Sequence, residues 1–348
     1  MFYGKPHIVS DLDGATWTAG SPPLPRLADL DFLGRMPIPL RRPFKAGLDR
    51  AVAGHSLACS FLMGGEWSAP FEGLLTAPGL DALPGMVLSS WSADLLSAAW
   101  LGHYAAASPS LPAPPAHPAC VEAGLLDSLG VFSVFAVIPM VMLIDHAKLG
   151  DRPAPRRWSD VLDPRYVRDV SFGGWRANGQ VPYQDYNEFL LLSLFEEFGA
   201  AGLDAFAGNV KHLIHNIRAV RAAGSGSDQA AAISILPWLQ ADICPRRDRT
   251  SVVWPDDGAL AMPIGFVADP RRAERLRPLI DYVTGPDLGA VLSKNRYPPV
   301  SAAVADAFPP GARLKWLGWE HVRSHDMVER TRTAGRIFFD AWARRGGR

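Results

Sequence analysis

Cysteine is scarce, with three residues in a chain of 348, at positions 59, 120 and 244. Their wide spacing excludes a CxxC or Cys/His zinc-ligand pattern. An odd, sparse count also excludes a disulfide framework. They read as buried thiols that pack like small hydrophobes. Excess charge of one sign is missing too: 35 Lys and Arg balance 35 Asp and Glu. That removes the basic footprint of a nucleic-acid binder and the polybasic face of a membrane-surface protein. No apolar run reaches the ~20 residues of a spanning helix. The longest, 130–144 (GVFSVFAVIPMVMLI), is interrupted by Pro139 and reads as a buried strand pair or strand–strand crossover. Membrane insertion is not expected. Residues 1–7 lack a basic stretch leading into an apolar one, so the expected location is periplasmic if an export signal was trimmed and cytoplasmic as the sequence stands. The catalytic fingerprints are absent as well: no G-x-S-x-G elbow, P-loop, H-E-x-x-H or dinucleotide-binding glycine motif occurs. Gly224-Ser225-Gly226-Ser227 is a turn without the lysine of a phosphate loop.

What is present is apolar material (48%), many Gly (32) and Pro (31), and eleven Trp. Frequent proline between apolar runs predicts short elements joined by rigid turns. The tryptophans, each with one apolar and one polar edge, suggest a lined cleft. Strands are predicted at 37–40, 58–63, 85–88, 170–172, 251–254 and 261–268. Helices are predicted at 43–55, 94–104, 155–166, 186–198, 203–223, from 229 onward, 273–283, 286–293 and 330–344. Residues 1–30 read as an irregular arm and 108–118 as a proline-rich excursion. Strand alternating with helix at this spacing implies a parallel sheet of βαβ units and an α/β fold.

Three stretches resemble the type 2 solute-binding proteins of ABC transporters, in the ferric-ion-binding branch. They are 155–166 (PRRWSDVLDPRY), 252–263 (VVWPDDGALAMP) and 273–292, a helix, a TGPDLG turn and a second helix. The resemblance runs in order over about residues 35–345. It implies a two-lobed type 2 periplasmic-binding-protein-like fold with a ligand cleft between the lobes. Lobe one would be residues 1–137 plus 259–315 and lobe two 138–258, with hinge segments near 138–145 and 252–258 and residues 316–348 packing across both. Function is then expected to be the binding of a small polar ligand (anion, metal chelate or small organic solute), with an ABC-transporter permease as a possible partner and no cofactor. An enzyme using the same cleft, or a cytosolic subunit with a degenerate cleft, are the alternatives, since fold alone does not decide function.

Ligands of open α/β sheets gather beyond the carboxyl ends of the strands. Three predicted strands end there in small or polar residues followed by tryptophan: Gly64-Gly65-Glu66-Trp67, Ser89-Ser90-Trp91 and Gly173-Gly174-Trp175. Glycine lets a ligand approach the backbone, serine offers a hydroxyl, and tryptophan an apolar wall or cation–π face. With Tyr186, Asn187 and Asp257, these supply the candidate ligand-binding set Gly65, Glu66, Trp67, Ser89, Ser90, Trp91, Gly174, Trp175, Tyr186, Asn187 and Asp257. The ferric-binding branch holds iron with consecutive tyrosines. No such pair occurs here, and Tyr183 and Tyr186 around Asp185 are a loose substitute. His212 and His215, or His321 and His325 with Asp326, carry metal-compatible spacing but read better as solvated helix faces. Asp256 and Asp257 read as turn residues. No metal residue is therefore expected. Chelator treatment should leave Tm unchanged; a fall of many degrees would reveal a structural metal.

Overall fold

A computed structural model describes residues 8–11, 26–63, 73–90, 93–105, 115–175, 185–304 and 307–347. In chain order its strands are β1 (Ile8–Asp11), β2 (Phe32–Arg35), β3 (Cys59–Leu62), β4 (Met86–Ser90), β5 (Ser133–Asp145) and β6 (Val170–Phe172). They continue with β7 (Gly174–Trp175), β8 (Asp185–Tyr186), β9 (Val210–Leu213), β10 (Ile233–Pro237), β11 (Thr250–Val253), β12 (Ala259–Ala268) and β13 (Leu314–Lys315). The chain divides into two compact units. The first is Met1–Val137, Pro263–Ala307 and Trp319–Ser324; the second is Ile138–Met262, Phe308–Gly318 and His325–Arg348.

In the first unit β1, β3, β2 and β4 lie parallel in that order, and β12 closes the row antiparallel to β4, with Ile264 opposite Ser90. The helix Arg41–Ala51 follows β2 and turns Phe44 and Leu48 inward, where they are fully buried. Phe44 stacks on Phe61 of β3 at 5.0 Å, and the Tyr282 hydroxyl donates to the Phe44 carbonyl at 2.8 Å. A buried carboxylate ties sheet to helix. Asp31 accepts from the Ala58 N–H at 2.8 Å and from Arg275 at 2.6 and 2.7 Å, with Arg272 also on it. Asp127 does the same for the approach to β5, accepting from the N–H groups of Leu129, Val131 and Phe132 and meeting Arg323.

The second unit orders β5, β10, β6 and β9, with β11 on the other edge of β5. β10, β6 and β9 are parallel to one another and β10 is antiparallel to β5. An aromatic cluster covers the sheet: Phe172 of β6 meets Phe206 at 5.7 Å and Phe338 at 5.4 Å, and Phe338 stacks on Trp342. The Trp342 indole donates to the Val210 carbonyl at 3.0 Å. Those rings come from the helices Glu188–Asn209 and Met327–Arg344, which are also joined by a two-pronged Arg330–Glu196 pair at 2.7 and 2.6 Å. Trp158, fully buried, donates to the Gly258 carbonyl at 2.8 Å. Gly258 itself has φ +106°, and a Cβ there would lie 2.8 Å from the Leu314 backbone, so the turn demands glycine.

Several expectations change. The apolar run 130–144 is neither a strand pair nor broken at Pro139: β5 is one 13-residue strand. Residues 38–40 form a 3-10 turn, because Pro37 and Pro39 cannot supply ladder N–H groups, and the strand lies earlier, at β2. Within the arm 1–30, Ile8–Asp11 pairs with β3. Residues 155–166 are 3-10 turns instead of a helix. The expected helix 203–223 ends at Asn209, gives way to β9, and resumes as Asn216–Ala222. From 229 onward the chain forms β10, not a helix. The two compact units meet along the chain at 137/138 and 262/263, and residues 308–318 and 325–348 fall in the second unit. The apolar side of Met327–Arg344 is taken up by the Phe172–Phe206 cluster of that unit.

Burial alone would raise the Asp31 carboxyl, but the Arg275 and Ala58 hydrogen bonds and both guanidinium charges outweigh it and hold the group below its usual range. A carboxyl lowered by folding stabilises fully above its unfolded pKa of ~3.9 and loses that contribution as pH falls through the folded value. Asp31→Asn should cost about 2–3 kcal/mol, below the full cost of breaking a buried pair because the guanidinia reach solvent, or roughly 5–10 °C in Tm. In melts from pH 7 to pH 3, the gap between wild type and variant should narrow only below about pH 4; a constant gap would contradict this. Trp158→Phe should cost about 2–4 kcal/mol, since the fully buried indole loses both its hydrogen bond to Gly258 and the volume of its second ring; an unchanged Tm would contradict this.

Candidate functional site

The carboxyl ends of the parallel strands gather polar groups in each unit. In the first unit β4 ends in Ser89 and Ser90. The Ser89 hydroxyl is buried and accepts from Arg35 Nε at 3.0 Å, where β2 ends beside it. Arg41 lies at the same edge, donating to the carbonyls of Met36 at 3.0 Å and Met63 at 2.8 Å, just past β2 and β3. Ser89 and Ser90 line a cavity of about 10 Å³ together with Leu95, Trp100, Phe132 and Pro263. That is room for about one water or one ligand atom. Trp100 is 4% exposed and its indole N–H has no partner. A buried donor without an acceptor costs about 1–3 kcal/mol, so this N–H favours an occupant that accepts.

In the second unit β6, β9 and β10 end on one edge. After β6, Gly173 accepts from the Asn187 N–H at 3.0 Å, and Gly174 and Trp175 pair antiparallel with Asp185 and Tyr186. Asn187 caps the helix Glu188–Asn209, its Oδ1 accepting from the Leu190 N–H at 2.9 Å, and its amide donates to Met140 Sδ at 3.5 Å. After β9 comes Asn216, whose buried Oδ1 has no partner and would lie 2.8 Å from a Cβ added at Gly173. After β10 comes Gln240, whose buried Oε1 likewise has none. Two amide oxygens thus stand without donors on the edge where open α/β sheets bind ligands.

The expected residues fare unequally. Ser89, Ser90, Gly174 and Asn187 stand on these carboxyl-end turns. Trp175 and Tyr186 are placed by their backbone only. Gly65, Glu66, Trp67, Trp91 and Tyr183 lie outside the described residues. Asp257 is already engaged: Lys315 Nζ is 3.0 Å away and bridges to Glu197 at 2.6 Å, while the Trp158 N–H points at the carboxylate from 3.4 Å. Burial opposes the charge on Lys315, yet Glu197 and Asp257 raise its pKa overall. Asp256 is paired with Arg156 at 2.9 Å. Arg35, Arg41, Trp100, Asn216 and Gln240 were not singled out from sequence.

Among the described residues no cluster of three or more His, Cys, Asp or Glu is arranged to hold a metal. His212 and His215 do not share a helix: the first lies in β9 and the second caps Asn216–Ala222 through Nδ1, 3.3 Å from the Ile217 N–H. Burial, with Lys211 beside it, holds the His212 imidazole below its ordinary pKa. Asp326 caps Met327–Arg344 by accepting from Val328 and Glu329. Burial pushes the Cys59 and Cys120 thiols up to about 12, which leaves neither as a nucleophile. No described helix is long and apolar enough to cross a membrane.

No curated protein sequence matches the chain significantly. Solved structures do. The ferric binding protein from Campylobacter jejuni superposes with a TM-score of 0.61 at 10% identity, over 90% of this chain and 99% of that one. Trichodesmium IdiA (FutA) in complex with iron and citrate gives 0.58 at 13% identity, over 88% and 99%. AfuA from Actinobacillus pleuropneumoniae, with exogenous fructose-6-phosphate bound, gives 0.58 at 10%, over 89% and 97%. At such identities the likeness establishes the fold, that of type 2 periplasmic binding proteins. The profile of a bacterial extracellular solute-binding protein family matches residues 87–325. With most of its length matched in this way, the chain belongs to the bacterial extracellular solute-binding proteins.

Proposed function

We propose that this solute-binding protein takes a small hydroxylated or amino-bearing organic solute, not a bare ferric ion, and delivers it outside the cytoplasm to an ABC-transporter permease. The observation that carries the reading is the pair of unpartnered amide oxygens on Asn216 and Gln240 at the carboxyl edge of the second unit. Buried acceptors without donors are rare and costly, and hydroxyl or ammonium groups are what they lack. The Trp100 N–H in the first unit is the complementary case, a donor in want of an oxygen. The sequence has no Tyr-Tyr pair, and the described residues hold no carboxylate–histidine cluster for iron. AfuA, whose structure carries fructose-6-phosphate, shows that a fold of this kind accommodates a hydroxylated solute. Among the described residues of the turns no nucleophile stands beside a base, and the family is one of binding proteins, which supports binding over turnover.

The test is a thermal-shift panel of sugars, polyols, amino acids, hydroxycarboxylates and ferric citrate. A solute present at about 100 times its Kd adds ~2.7 kcal/mol, several degrees at roughly 2–4 °C per kcal/mol. On the hit, Asn216→Ala and Gln240→Ala should each weaken affinity about three- to tenfold, the worth of one hydrogen bond. Unliganded Tm should hold or rise, because an unsatisfied group has been removed. Affinity unchanged in both variants, or a hit with ferric ion alone, would overturn the reading.

A further inference from the structure

The opposite edge of the second unit carries a feature that solute binding at the carboxyl ends does not use. Between the helix Asn216–Ala222 and the amino end of β10, residues 223–229 form a tight turn. Gly224 donates to the buried Asp145 carboxylate at 2.7 Å, the Ser225 hydroxyl donates to the Ala222 carbonyl at 2.6 Å and accepts from the Ser227 N–H, and the Ser227 hydroxyl accepts from the Gln229 N–H at 3.1 Å. Facing the turn is an open groove of about 340 Å³ lined by Arg218, Arg221, Ala222, Ser225, Ser227 and Gln229. Arg218 and Arg221 are one turn apart on the same helix face and exposed, and no carboxylate among the described residues pairs with either. Three more cations brace the turn by bonding its carbonyls. Arg246 donates to Arg221 at 2.8 Å, Arg249 to Gly224 at 3.4 Å, and Lys211 to Asp228 at 2.6 Å. Among the described residues Asp145, buried beneath Gly224, and Asp228 and Asp248 oppose them, and Asp248 is taken by Arg249 at 3.5 Å. In a chain whose charges balance overall, this is a local excess of about two positive charges.

We propose that this groove is a second binding site, for a phosphate-bearing small anion, separate from the solute site. Two guanidinium groups side by side match the oxygens of a phosphoryl group through two-pronged hydrogen bonds. The groove is open and lined by two guanidinium groups, two hydroxyls and an amide, with no aromatic or large aliphatic anchor of the kind that centres a protein interface, which favours a small anion over an acidic protein segment. Arg246 donates to the Arg221 and Ala223 carbonyls at the end of the Asn216–Ala222 helix, so the negative pole there does not repel the anion.

Calorimetric titration of the whole protein with inorganic pyrophosphate tests this, at low salt and again at about 150 mM NaCl, where exposed charges more than roughly 8 Å apart are screened. Wild type should bind one equivalent saturably under both conditions. Arg218→Gln/Arg221→Gln should weaken binding about tenfold or more, while its Tm stays within the range of surface substitutions. Its affinity for the solute found in the thermal-shift panel should not change. Asn216→Ala should do the reverse, so each site is tested without the other. Pyrophosphate binding that is undiminished in the double variant, that vanishes at the higher salt, or that is lost with Asn216→Ala would overturn the second site. A complex formed only with an acidic protein and not with pyrophosphate would overturn it equally.

Discussion

A strand buried along its whole length must have its backbone N–H and C=O groups met on both edges, because water is not there to meet them. β5 is buried at every position after Ser133. Its first part is satisfied in the first unit: Val300 donates to Phe135 at 2.8 Å and Val137 donates to Pro298 at 3.0 Å. Its last part is satisfied in the second, where β10 and β11 take opposite edges from Met140 to Asp145. Pro139, with no N–H to give, stands between the two paired stretches. β12 repeats the arrangement. Ala259 and Leu260 pair with β13, Ile264 to Ala268 pair with β4, and Pro263 lies between. The unit boundaries, 137/138 and 262/263, fall beside these prolines. Two strands that each change partners at a proline are what divides one chain into two compact units.

Charge is spent on holding turns rather than on the solute edges. Asp31, Asp127 and Asp145 are almost wholly buried carboxylates, and each collects backbone N–H groups from a turn. Lys315 joins Glu197 to Asp257 below Trp158, so the Asp256–Gly258 turn is fixed from both sides. Arg35 and Arg41 are likewise tied to a hydroxyl and to carbonyls. Among the described residues at these edges, what is left unpaired is neutral: the amide oxygens of Asn216 and Gln240 and the Trp100 indole N–H. Neutral hydrogen-bonding groups on fixed turns select by geometry, which suits an uncharged or weakly charged organic molecule better than a metal ion.

Much of the fold could be read from the sequence where the pattern was local. The apolar runs at 58–63, 85–88, 170–172 and 261–268 are strands, and Phe44, Leu48 and Val52 mark a helix, because burial period and turn residues agree there. The misreadings come from tertiary context. Val210-Lys211-His212-Leu213 looks helical by its neighbours, yet it becomes an edge strand by pairing with β6. Ala230-Ala231-Ala232 continues a helix by propensity, but Ile233-Ser234-Ile235 is held between β5 and β6. The candidate site was legible to the extent that small residues after strands marked the carboxyl edge, where Ser89, Ser90, Gly174 and Asn187 stand. Asp257 entered the candidate ligand-binding set because its partner, Lys315, comes 58 residues later in the chain. Asn216 and Gln240 were invisible, since a missing hydrogen-bond partner is a property of the folded surroundings and leaves no mark in the chain.

On the proposed reading, fixed turns at the carboxyl edges hold a small solute in one-to-one stoichiometry. Native mass spectrometry tests it most directly, on protein incubated with a small-molecule extract of bacterial culture and gently desalted. A single noncovalent adduct of small-molecule mass, gone once the protein is denatured, is the expected result. The bare protein mass alone after incubation, or adducts in a random ladder that persist through denaturation, would contradict it.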